Sequence, residues 1–232
     1  MLQALLLSAF AGAMIPLGGW LACFRQGPHG GSGPVLPSTV IAFGGGALLS
    51  AVAFVLVPEG AEKLPGWLAV ALFGAGGVAF AWISRAIDRI GGSHGQMLAM
   101  LADFIPEAAA LGALLAAGGG DTAILLAGLI ALQNLPEGFN AWCEGEDTNP
   151  RRRLALFWGL AALGPVAALG GHVFLSDYAG VLGGLMVFAA GGIVYLIFED
   201  IAPAGHLPDR RAPPLGAVMG FALGFAGHLA VG

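Results

Sequence analysis

Two stretches of the chain share one pattern: Asp103-Phe104-Ile105-Pro106-Glu107 and Gln133-Asn134-Leu135-Pro136-Glu137-Gly138. Each sets a polar side chain, then Pro and Glu three and four residues later, inside a long apolar run. A membrane-spanning helix needs roughly 20 largely apolar residues. Working outward with that ruler gives eight spans, at about 2–24, 38–60, 66–87, 97–117, 121–142, 154–175, 179–204 and 214–231. Of the 232 residues, 57% are hydrophobic and 10% charged, and the mean hydropathy is +0.84. Soluble domains run nearer 25% charged, so a soluble globule is excluded. The predicted fold class is all-α, a polytopic membrane protein of eight transmembrane helices with no room for a soluble domain. The 40 glycines suit close helix contacts in lipid. A net charge of −5 argues against nucleic acid as a partner. Cys23 and Cys143 are too few for a disulfide framework. The first span lacks a basic leading segment, so it reads as a span rather than a cleaved signal.

The basic residues set the expected orientation. Arg25, Arg85, Arg89, Arg151, Arg152, Arg153, Arg210 and Arg211 follow the odd-numbered spans, and Lys63 alone falls on the other side. The positive-inside rule makes the arginine face cytoplasmic and puts both termini outside.

Span two runs from Phe43-Gly-Gly-Gly-Ala-Leu-Leu to Pro58-Glu59-Gly60, and span seven from Phe188-Ala-Ala-Gly-Gly-Ile-Val to Pro203-Ala204-Gly205. The Phe-to-Pro spacing is the same, yet the two spans cross in opposite directions. The two Pro-Glu stretches of spans four and five are also oppositely directed. This predicts an inverted repeat, helices 1–3 against 6–8 around central helices 4–5, as many transporters use to build a site near the bilayer midplane.

The acids within spans are Glu59, Asp103, Glu107, Glu137, Glu199 and Asp200. A charge deep in hydrocarbon costs at least about 2.5–3.5 kcal/mol, so such groups face a cavity or a partner. No span holds a Lys or Arg deep enough to pair with them, which leaves protons, water or a bound cation. Asp103 and Glu107 share one helix face, as do Gln133 and Glu137. Two helices are thus expected to turn three carboxylates and an amide oxygen to one point. Pro106 and Pro136 also free the carbonyls of Ala102 and Leu132.

At these residues the sequence resembles the ZIP (Zrt/Irt-like) family of divalent metal transporters, bacterial type. The resemblance covers essentially the whole chain, and the stretch 133–138 is close to that family's helix-five motif. It implies a primary metal site of Asp103, Glu107, Gln133 and Glu137. It also implies a second site from Asn134 and Asp200 with shared Glu107 and Glu137, and Glu199 as a weaker ligand beside Asp200. It further implies elevator-like alternating access, transport towards the cytoplasm, and a homodimer. Departures from the family pattern bear on the metals held. Phe104 replaces a ligating residue, Leu48 stands where some members have Met, Gly164-Pro165 lacks a preceding Glu, and a His-rich loop is reduced to His94.

With no His or Cys in the matched motifs, carboxylate and amide oxygens suit hard divalent ions such as Mn²⁺. The expected substrates are Zn²⁺, Mn²⁺, Fe²⁺ or Cd²⁺, with no organic cofactor. Glu59 is an outer-access candidate, and His94 and Glu144, the latter heading the acidic run through Glu146 and Asp147, are exit candidates. His29 and His206 read as solvated loop residues, and His172 and His228 as interface packing. The tryptophans fall mostly near span ends, where interfacial belts place them. Two other readings are an intramembrane metal-dependent hydrolase and a non-transporting metal-sensing membrane protein. The first lacks a nucleophile–base motif, and the second lacks an output domain.

Overall fold

The computed structural model describes residues 1–25, 33, 35–90, 92–144 and 149–231. These form eight helical rods: α1 (Leu2–Arg25), α2 (Val35–Ala61), α3 (Gly66–Ile90), α4 (Gly92–Ala116), α5 (Gly120–Glu144), α6 (Pro150–Phe174), α7 (Ala179–Gly205) and α8 (Ala212–Val231). There is no strand among the described residues. Every rod except α4 is long and apolar enough to cross a membrane, and α4, with 25 residues, has the same reach.

Proline explains where the rods depart from regular geometry. A proline ring collides with the carbonyl four residues back and has no N–H to donate. At Pro58 and Pro203 those carbonyls belong to Phe54 and Glu199. Both lie in a widened π-turn, Val52–Leu56 in α2 and Ile197–Ile201 in α7. The N–H of Val57 bonds the carbonyl of Val52, and that of Ala202 the carbonyl of Ile197. In α6 the helix breaks at Ala162, just ahead of Pro165. Helix α6 also starts earlier than the hydropathy reading placed it. The Asn149 side chain accepts from the N–H groups of Arg151 and Arg152, and Pro150 fills the first turn.

The rods pack chiefly in four pairs: α1 with α5, α4 with α6, α2 with α8 and α3 with α7. Glycine permits each approach. A Cβ on Gly138 would meet the Ile15 carbonyl, and one on Gly171 the Ala109 carbonyl. Between α2 and α8, Gly46 lies against the Ala217 carbonyl and Gly220 against that of Phe43. Between α7 and α3, Gly191 lies against the Phe73 carbonyl and Gly76 against that of Phe188. Backbones this close gain dispersion and carbonyl contacts that side chains would block.

Large apolar side chains such as Trp67, Trp82, Phe174, Phe198 and Leu229 are turned outward. Large apolar side chains on the exterior suit contact with lipid. Trp142 departs from the belt expectation. It is buried, edge-on to Phe157 with ring centroids 5.7 Å apart, and the Arg153 guanidinium lies 4.2 Å from its ring centre. Arg153 also donates to the carbonyls of Ala141 and Trp142, so a basic residue counted for orientation is in fact a buried cap on the end of α5. Replacing Arg153 with Met should cost about 1.5–3 kcal/mol, the range for hydrogen bonds to a charged group. An unchanged thermal midpoint of the detergent-solubilised protein would remove that role.

Candidate metal centre

Asp103 and Glu107 lie one turn apart on α4, and Gln133, Asn134 and Glu137 on one turn of α5, close to the prolines. Asp103, Glu107, Gln133 and Asn134 are all buried. The Asp103 Oδ1 accepts the N–H of Phe104 at 2.8 Å. Gln133 Nε2 donates to Glu107 Oε2 at 2.5 Å across the α4–α5 seam. Asn134 Nδ2 donates to the Ala11 carbonyl of α1 at 2.9 Å.

Both amides are thereby oriented. A carboxylate or carbonyl accepts but does not donate, so each amide nitrogen faces its partner and each amide oxygen faces away. The result is four buried side-chain oxygens with no hydrogen-bond partner: Glu107 Oε1, Gln133 Oε1, Asn134 Oδ1 and Glu137 Oε2. Buried polar atoms are almost always paired. Here the orphans are all acceptors, and all belong to residues the two motifs single out. Among the described residues only Trp142 Nε1 joins them, away from these motifs.

The carboxylates are close enough to act on one another electrostatically, Asp103 on Glu107 and both on Glu137. They do not converge on one point, however. Among the described residues no three His, Cys, Asp or Glu side chains form a ready-made cation cage. The Gln133 amide takes up one oxygen of Glu107. A bound cation would have to draw the carboxylates together.

Asp103 and Glu137 open onto a cavity of about 90 Å³ between α2, α4, α5 and α7. That is room for several waters, or an ion with part of its hydration shell. Asp200 and Asn140 line the same space, and so do Gly44, Gly45 and the ring of Pro136. Asn140, one turn beyond Glu137, is a polar lining residue that the motif comparison passed over. The signal for it was its i+3 spacing from Glu137 on α5.

The other candidates lie elsewhere. Glu199 is exposed and close enough to Tyr195 to act on its hydroxyl, and it does not line the cavity beside Asp200. Glu59 does have a cationic partner, contrary to the expectation for the acids within spans. Lys63 Nζ lies 3.0 Å from its Oε2, and Thr122 Oγ1 donates to its Oε1 at 3.3 Å. His172 shares a 3.2 Å hydrogen bond between its Nδ1 and the Gly112 carbonyl, and His228 stacks on Phe54 with centroids 4.9 Å apart. Both are packing residues, as expected. Phe104 is a buried wedge whose ring meets Gly12 and Gly164, and Leu48 is buried apolar core. The side chains of His94 and Glu144, and all of His29, lie outside the described residues. No family model and no curated protein matches the chain.

Proposed function

We propose that this chain carries divalent metal ions, of the Zn²⁺, Mn²⁺ and Fe²⁺ kind, across a membrane as a ZIP-type transporter with eight spans. The observation that carries this reading is the set of four partnerless buried oxygens on Glu107, Gln133, Asn134 and Glu137, of which Glu137 also lines a cavity with Asp103 and Asp200. Acceptors without donors are stabilised by a cation, and oxygen ligands without His or Cys suit a hard ion while still admitting Zn²⁺ or Cd²⁺. The ion is cargo, so an incompletely closed cage suits it: binding tight enough to enter must be weak enough to leave.

Three features support alternating access. The contacts of α2 with α8 match those of α7 with α3 residue for residue, under the alignment that pairs Phe43 with Phe188 and Gly46 with Gly191. The π-turns at 52–56 and 197–201 follow the same alignment, in keeping with an inverted repeat. The cavity is lined by the start of α2, the first half of α4 and the ends of α5 and α7. That is the arginine-bearing end of the bundle, so the site faces the cytoplasm under the positive-inside rule. Finally, α1, α4, α5 and α6 pack as one group holding the motif residues, and α2, α3, α7 and α8 as another. Gly44 against the Pro136 ring forms part of the seam along which one group would slide. Termini outside and a homodimer complete the reading.

Uptake of radioactive Mn²⁺ or Zn²⁺ by proteoliposomes, against protein-free vesicles, tests it. Absence of any metal-dependent flux or binding would overturn it. Replacing Asp103 with His brings an imidazole into the site, and the Zn²⁺ to Mn²⁺ uptake ratio should then rise roughly tenfold. An unchanged ratio would remove Asp103 from the ligand set.

A further inference from the structure

A second cavity, of about 630 Å³, opens on the flank of the bundle between α2, α7 and α8. Its floor is Ala42, Gly45, Gly46 and Gly205, whose small size creates the recess. Its rim includes Phe198 and Val218, both largely exposed on the apolar outer surface. The lining is apolar until the end where α7 passes into α8. There His206 joins it, and exposed Arg210 and Arg211 stand three and two residues ahead of Pro213. Asp209 is the single acid of that connector, and among the described residues no ion pair engages either arginine. Gly45 and Ile201 line both this groove and the cavity of Asp103 and Glu137, so the two are neighbours.

A recessed apolar slot with cationic groups at one end, open to the hydrocarbon side, fits an amphiphile with a negative head. Basic side chains at a membrane surface attract anionic lipid, and two adjacent arginines favour it over a zwitterionic one. We propose that the groove between α2, α7 and α8 holds an acyl chain of an anionic phospholipid whose phosphate lies against Arg210 and Arg211. This assignment is independent of what the ion cavity carries.

Native mass spectrometry of the full chain in detergent, incubated with phosphatidylglycerol or phosphatidylcholine, tests it. Phosphatidylglycerol should be retained in preference. Retention should fall roughly tenfold when Arg210→Gln and Arg211→Gln are combined, since each basic group contributes separately. Ala222→Trp, which fills the groove from an exposed lining position, should displace the chain. The arginine pair lies in an exposed connector, so its effect stands even if the tryptophan variant misfolds. Equal retention of both lipids, or retention untouched by the arginine changes, overturns the proposal. So does conversion of a dimer to a monomer by Ala222→Trp with lipid retention intact, which would give the groove to a second copy of the chain.

Discussion

Proteoliposomes carrying Glu137→Ala should take up divalent metal at least roughly a hundredfold more slowly than wild type, since even changes to groups that merely orient ligands cost 10–100-fold in affinity. Glu137 joins the two halves of the candidate site: one of its oxygens is buried without a partner, and its side chain borders the cavity shared with Asp103 and Asp200. Its charge also interacts with those of Asp103 and Glu107, so its removal changes the field at all three. Glu137→Gln keeps the shape and removes the charge, so it should fall nearly as far. Glu62→Ala, a carboxylate just beyond α2 at the opposite end of the bundle, should transport normally. Full flux through Glu137→Ala at normal folded yield would end the case for the site.

The largest loss of stability should come from one methyl group. Gly138 lies at a close approach of α1 and α5, and a Cβ there would run into the backbone carbonyl of Ile15. Backbone cannot rotate away as a flexible side chain can, so the helices must separate, and overpacking of this kind costs about 1–3 kcal/mol or more. Gly128, on the same helix, has open space where a Cβ would stand. Alanine there should be neutral or stabilising by up to about 1 kcal/mol through helix propensity. Size-exclusion profiles after heating separate the two. Equal midpoints for Gly138→Ala and Gly128→Ala would contradict the packing described for α1 and α5.

Hydropathy and helix length alone made the rods legible, because a bilayer imposes one length and one composition on whatever crosses it. The boundary of α6 was misplaced because its start is set by the Asn149 cap rather than by apolar residues. The pairing of carboxylates with amides was legible from i,i+4 spacing, since a helix face is fixed by geometry. Which way Glu199 and Asp200 turn was not. Neighbouring residues on a helix point about 100° apart, and it is the cavity lining, which holds Asp200 and not Glu199, that shows which of the two turns away. The burial of Arg153 and Trp142 was hidden for a related reason. Both stand near helix ends, where composition predicts an interface, and it is their contact with each other and the packing of Phe157 on Trp142 that tertiary structure adds.

Asp200 sits inside the π-turn of α7, and this has a consequence for its aim. A turn with one surplus residue sets the angular phase of everything after it. Were Ile197–Ile201 to tighten into an ordinary α-turn, the following segment would swing by about 100° and rise about 1.5 Å. The carboxylate that now lines the cavity would then point to another compass bearing, with no bond in the rest of α7 disturbed.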